Sequence, residues 1–239
     1  MSSSLKLDFC SHEAARYAVE HWHYSRQLPA GKLVKIGVWE EGEFTGCVIF
    51  SYGANPNVTK MLSISQMEVC ELTRVALKKG HKVQVSKVVA FALRMLKKQS
   101  PGIRIVLSYA DTDQGHLGII YQASNWLYLG HVQKGSQSAF LIHGQRMHPR
   151  SVGARGWVQS LKWIREHIDP NATQSRTKGK QKYVWLFDAS LRSKFEKDIQ
   201  PYPKQRATSE TGDTPLLQSG KGGSTPTVAL SLIPSRLTP

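Results

Sequence analysis

The stretch LSYADTDQGHLGIIYQASNW carries Asp111 at the end of an apolar run and Tyr121 on the segment that follows. A carboxylate can take a proton from a nucleophile as charge develops on it, and a phenol can hydrogen-bond or donate one. Each residue also has a plainer reading, Asp111 as a helix cap or Asx turn and Tyr121 as a core tyrosine on a buried helix face. Gly115 and Gly118, between them, either let the backbone approach a substrate closely or serve only the turn. Upstream, HWHYSR gathers His23, Tyr24, Ser25 and Arg26, a ring that can stack and a guanidinium that can pair with an anion. His21, His23 and either Asp111 or His116 supply the residue types of a two-histidine, one-carboxylate iron site. An HxH on a helix splays its rings about 200° apart, so no metal site is expected and iron is the lesser alternative.

These residues need a frame. At 239 residues, 40% of them hydrophobic, the chain can bury one substantial core. The balance of 32 Lys+Arg against 17 Asp+Glu gives a formal charge of +15 and a pI near 9.9, which concentrates polyanions around the protein and puts nucleic acid first among partners. The N-terminus lacks a basic start followed by an apolar stretch, and no run approaches the ~18 apolar residues of a membrane span. A cytoplasmic, membrane-free protein is expected. Cys10, Cys47 and Cys70 are scattered and odd in number, which favours reduced core thiols over a disulfide framework or a zinc site.

Apolar periodicity predicts a helix over Glu13–Trp22. Leu33–Trp39 and Phe44–Ser51 read as a β-hairpin joined by EEGE. Met67–Leu77 reads as a strand bearing Glu71 and Arg74, which three-residue spacing sends to opposite faces, so that only one reaches a cleft. The next helix sets Val85, Val88, Val89, Ala92 and Leu96 on one face against Lys87, Phe91, Arg94 and Lys98 on another. A buried strand follows at Ile103–Tyr109, then a helix from about Gly118 that Asn125 ends in the left-handed conformation. Trp126–Val132, Ala139–His143 and Tyr183–Phe187 read as further strands, and Val158–His167 as a basic helical stretch. From residue 204 onward the chain is rich in Ser, Thr, Pro and Gly and predicts a disordered tail.

The order of these elements, with Ile120-Tyr121 followed by Asn125-Trp126, resembles the GNAT acyltransferase superfamily. Three segments together, HYSRQLPAGK, CELTRVAL and SYADTDQGHLGIIYQASNWLYLG, resemble the Mom family of phage DNA-modification proteins. The resemblance implies an α/β fold with a GNAT-like mixed central sheet flanked by helices. It further implies a catalytic domain over residues 1–203, with a basic helical and loop insertion at 151–180 and the tail at 204–239. The implied reaction adds a carbamoylmethyl-type (acetamido) group to the exocyclic amine of adenine in double-stranded phage DNA, shielding it from host restriction endonucleases.

On that reading Asp111 and Tyr121 are catalytic, as base and acid on opposite sides of one reacting carbon, with Glu71 competing for the base role. His23, Tyr24, Ser25, Arg26, Arg74 and His116 are substrate contacts for a flipped adenine and its backbone. Arg146 to Arg165, with Trp157 and Trp163, is an accessory grip or a pair of core anchors. GNAT enzymes hold coenzyme A pyrophosphate on free amides before a helix, and the matching KKGHKVQVSK offers Lys79, Gly80, Lys82, Ser86 and Lys87. With one glycine there, the donor is either a coenzyme A thioester or a larger polyanion such as a charged tRNA. The other readings are a transferase for a protein or RNA amine and a DNA-binding module without catalysis.

Overall fold

The computed structural model of the chain describes residues 4–52, 56–132, 138–176 and 178–204. Among these, ten strands alternate with six helices. The first half runs β1 (Leu5–Phe9), α1 (His12–Trp22), β2 (Leu33–Glu40), β3 (Glu43–Tyr52), α2 (Pro56–Leu62), β4 (Val69–Leu77) and α3 (Val85–Gln99). The second runs β5 (Ile105–Asp111), α4 (Ile119–Gln122), β6 (Leu127–Val132), β7 (Ser138–Ile142), β8 (Gln145–Met147), α5 (Pro149–Gly153), α6 (Leu161–His167), β9 (Thr173–Arg176) and β10 (Lys180–Leu186). The seven-stranded sheet has the order β1-β2-β3-β4-β5-β10-β6, and β4 with β5 is its parallel pair. The expected mixed sheet flanked by helices is therefore present.

Local chemistry accounts for most boundaries. Ser11 caps α1 by accepting the Ala14 amide, and Ala15, Ala18 and Val19 bury one stripe of that helix against Cys47, Ile49 and Ala76. Glu41 and Gly42, both at positive φ, make the tight turn of the β2–β3 hairpin. On α3, Val88, Val89, Ala92, Leu93 and Leu96 are buried, while Lys87, Arg94 and Lys98 are exposed, as the periodicity requires. Asn125 ends the α4 turn at φ +57°. The three cysteines are unpaired thiols, two of them buried. No described helix is long and apolar enough to cross a membrane.

The structure departs from the sequence reading in four places. LKLDF forms an edge strand, β1, against β2, a five-residue run too short for its pattern to register. Helix α2 and the polar strands β8 and β9 also lack an apolar signature; every residue of β9 is exposed. Strand β7 leaves the main sheet and pairs with β8 and β9 in a separate three-stranded sheet. Strand β10 begins three residues earlier than expected and inserts between β5 and β6, a placement decided by pairing partners that no local pattern encodes. The tail beyond Lys204 lies outside the described residues.

Gly118 shows how tightly the α4 entry is built. It sits at φ +73°, and a Cβ there would fall 2.3 Å from the Tyr183 ring, whose hydroxyl donates to the Leu117 carbonyl at 2.5 Å. Gly118 thus serves turn and packing, while Gly115, also left-handed, has open space around it. Gly118→Ala is expected to cost about 2–4 kcal/mol, combining left-handed strain with overpacking. Urea denaturation should report this as a lower midpoint at unchanged slope.

Candidate active site

The parallel ladder between β4 and β5 runs from Val69 opposite Ile105 to Leu72 opposite Ser108 and stops there, although the strands continue to Leu77 and Asp111. Where strands of an open sheet part at their carboxyl ends, a crevice forms that can take a ligand. Ser108 sits at this parting, its hydroxyl donating to the Leu72 carbonyl at 2.9 Å and lying 2.7 Å from the Tyr121 hydroxyl. Beyond it opens a cleft of about 710 Å³, lined by the turn after α1, the ends of β4 and β5, and the β7–β9 region.

Asp111 reaches this cleft. Its carboxylate caps the following 3-10 turn by accepting the Asp113 amide at 2.9 Å, which is the structural role its sequence setting allowed. The Tyr24 phenol lies close enough for the Asp111 charge to act on it. Burial pushes the Tyr24 phenol up to about 12, and the Asp111 charge adds to the effect. Half of Tyr24 remains exposed, so its ring offers a face beside a fixed carboxylate. His116 approaches that ring edge-on at 5.5 Å and His23 lies at 4.4 Å.

His23 is held as a neutral imidazole. Burial, helped by the nearby Arg74 and His116 charges, drops it to about 3. Its Nδ1 accepts the Ser25 amide at 3.1 Å and lies 2.8 Å from the Ser25 hydroxyl, so the ring proton resides on Nε2. Ser25 and Arg26 line the cleft beside Tyr24, and Arg26 takes a left-handed backbone at φ +48° that turns the chain out of α1. The histidines do not assemble the iron site: His21 folds back on its own helix, Nδ1 2.8 Å from the Tyr17 carbonyl and stacked on the Tyr17 ring. Among the described residues, no three His, Cys, Asp or Glu side chains gather as a metal would require.

Glu71 and Arg74 require a correction. Ile49 stands opposite Arg74 and Phe50 opposite Leu72, which leaves Thr73 as the extra residue of a β-bulge. Cys70, Leu72, Val75 and Leu77 accordingly all pack on the α3 side of the sheet, and Glu71 and Arg74 share the other face. The spacing rule fails because the bulge shifts the alternation by one residue. Arg74 lines the cleft and donates from Nε to the Gln27 carbonyl at 3.2 Å, bracing the turn that carries Tyr24. Burial lowers its pKa, opposed by Tyr24 and Glu71. Glu71 is half-buried behind it and helps burial raise Tyr109 to about 12.

Tyr121 lies elsewhere. Along β5, Val106 and Ala110 join the α3-side core that contains Tyr121, whereas Ile105 and Leu107 face the opposite way with Tyr109 beside them. Alternation therefore puts Asp111 and Tyr121 on opposite faces of the sheet. Tyr121 is 7% exposed, is absent from the cleft lining, and packs against Trp126 and Tyr183. Burial raises its phenol to about 12, opposed by the Ser108 hydrogen bond.

Asp113 and Lys180 escaped the sequence reading, whereas Arg146 and Arg155 fall within the basic segment it named as an accessory grip. Asp113, two positions from Asp111, binds Arg146 of β8 at 2.8 Å and accepts the Lys178 amide at 3.0 Å. Arg155 and Lys180 join the same wall. A second acidic residue in DTDQG was a usable signal for Asp113; nothing local marked Lys180. Trp157 and Trp163 anchor the core of the β7–β9 region, the structural of their two readings.

The donor residues form a separate place. Lys79, Gly80 and Lys82 line a hollow of about 250 Å³ that shares no residue with the cleft and also contains Glu40, Glu41 and Glu43. Ser86 and Lys87 sit on the first turn of α3, outside that lining. Two amides ahead of α3 are already taken: the buried Glu40 carboxylate accepts Lys82 N–H at 2.9 Å and Val83 N–H at 3.1 Å. A pyrophosphate seated on those two amides would have to displace that carboxylate.

A model of the Mom protein family matches residues 4–204. Methylcarbamoylase mom of Escherichia phage Mu is 24% identical over 212 residues, 85% of either chain. Among solved structures, a spermidine N-acetyltransferase from Vibrio cholerae aligns at a TM-score of 0.46 and 11% identity, covering 79% of this chain and 98% of its own. A putative acetyltransferase from Acinetobacter baylyi aligns at 0.46 and 9%, covering 80% and 96%. Because the family match spans the whole main sheet and every residue of the cleft, the chain belongs to the Mom protein family.

Proposed function

We propose that this protein transfers a carbamoylmethyl-type (acetamido) group to the exocyclic amine of adenine in double-stranded DNA, from an activated donor whose methylene carbon bears the leaving group, and so protects phage DNA from restriction. What carries this reading is Tyr24 standing beside the Asp111 carboxylate at the mouth of a cationic cleft, in a chain of the family that includes the Mu methylcarbamoylase.

The adenine amine is a weak nucleophile because its lone pair is delocalised into the ring. A fixed carboxylate helps by orienting the N–H and receiving its proton. Asp111 has that role: the Asp113 amide holds one of its oxygens, Tyr24 stands beside it, and it faces the cleft. As the nitrogen bonds to the donor carbon, the bond from that carbon to the leaving group breaks with its electron pair, and the amine proton passes to Asp111. Inside a duplex the amine is stacked away, so the base must be extruded at a cost of a few kcal/mol. The exposed Tyr24 ring offsets part of that by stacking, worth about 1–3 kcal/mol per base. Neutral His23 fixes Ser25 and the turn without placing a second cation beside the base.

Arg74 carries positive charge next to the reacting groups, with Glu71 as its charge partner on the same face. Tyr121 acts as a positioning residue in this scheme: through Ser108 it ties α4 to the point where β4 and β5 part. Since Glu40 occupies two of the amides before α3, a coenzyme A thioester has fewer free donors there, and a charged tRNA is the second donor class.

Mass spectrometry of nucleosides from cells expressing the chain tests the assignment. Wild type should yield a new adenine-derived nucleoside, and Asp111→Asn should lower its amount by about 10²–10⁴-fold. An unmodified nucleoside pool from wild-type cells would move the protein to a transferase for protein or RNA amines, or to a DNA-binding module. The two tyrosines separate by their effects. Tyr24→Phe, which keeps the stacking ring and removes the hydroxyl beside Asp111, should cut modification about 10-fold at unchanged stability. Tyr121→Phe should mainly cost about 1–3 kcal/mol of stability; a fully folded Tyr121→Phe protein with no activity would instead make Tyr121 the acid for the leaving group.

A further inference from the structure

Residues 138–176 contain a small lobe between β6 and β10. Phe140, Ile142, Val152, Ile164 and Ala172 are its buried core, with Trp157 and Trp163 packed against them. Within it, Asp169 accepts the amides of His143 at 2.7 Å and Asn171 at 2.9 Å. An insertion that merely decorated the sheet would need no tie to the catalytic loop. This one is tied by Asp113, whose 9% exposed side chain binds Arg146 at 2.8 Å.

The lobe contributes charge to the cleft. Arg146 and Arg155 come from it, Lys180 from the following strand, and Arg26 and Arg74 from the main body; Asp111 and Asp113 are the carboxylates among the lining residues. Asp113 is spent on Arg146, and Asp111 is held by a backbone amide, with Tyr24 beside it. Arg155 donates from one nitrogen to the Ser151 carbonyl at 3.2 Å and lies over the Trp157 ring, which fixes its direction while leaving the rest of its planar fork unassigned. Rigid, paired guanidinium groups suit phosphodiester oxygens better than they suit the neutral base.

We infer that this lobe is a DNA-backbone grip, in which Arg146 and Arg155 bind phosphates beside the extruded nucleotide; this rests on the adenine-modification reading above. The occupant is a nucleic-acid strand, because five cations against two engaged carboxylates leave a net positive wall that an acidic backbone complements.

The experiment measures binding of the full chain to a short fluorescein-labelled duplex by anisotropy across a series of salt concentrations. Each lost phosphate contact should make the slope of log K against log salt shallower by about one. Arg155→Gln should lose about one, the double variant with Arg146→Gln about two, and Lys98→Gln, exposed on α3 and outside the cleft lining, none. Arg155 lies on the lobe surface, so its variant keeps the test valid should Arg146→Gln fail to fold. Slopes equal to wild type, or no salt-dependent binding by wild type, overturn the grip. Modified adenine in cells together with unchanged slopes refutes the grip alone; shallower slopes without any modified adenine refute the catalytic reading alone.

Discussion

Everything at this site depends on two parallel strands ceasing to pair. After Leu72 and Ser108 the backbone groups facing the gap no longer have each other, and each needs another partner. Ser108 satisfies the Leu72 carbonyl, and the Thr73 carbonyl is met by the Arg74 guanidinium at 2.7 Å. The bulge at Thr73 follows from the same break, because a strand leaving its neighbour can take up one extra residue and turn. That residue brings Arg74 onto the face where Asp111 and Tyr24 meet. A regular β4 would have sent Arg74 into the apolar packing of α3, leaving a buried cation without a partner.

Internal carboxylates then decide where anions can go. Glu40 reaches from the end of β2 to two amides ahead of α3 and fixes a negative charge there. Asp113, by contrast, fixes one arginine of the cleft and leaves the others to face an incoming anion. In a chain of net charge +15, cations are plentiful, and selectivity comes from which of them are neutralised from within.

A good part of this was legible before the structure. The hairpin β2–β3, the amphipathic α3, the buried β5 and the Asn125 stop follow from local rules: turn chemistry, apolar period and left-handed tolerance. Asp111 and the His23–Arg26 cluster stood out through residue type and through the family resemblance. The Glu71–Arg74 alternation misled, because a period-two argument assumes an unbroken ladder. The pairing of Asp111 with Tyr121 misled for a related reason: the two flank one loop in sequence, yet the strand and helix that bear them contribute to opposite sides of the sheet.

The sequence by itself determined the element types, the basic character and the residues able to do acid–base and stacking chemistry, since each depends on side chains a few positions apart. Only the tertiary structure decided that β10 enters between β5 and β6, that Tyr24 rather than Tyr121 stands beside Asp111, that Glu40 takes two amides ahead of α3, and that Arg146 and Arg155 arrive at the cleft. Those outcomes join residues tens of positions apart, as in the contact of Asp113 with Arg146. They are settled by which buried polar groups find partners once the whole sheet has closed, a condition on the assembled molecule that no short window of sequence contains.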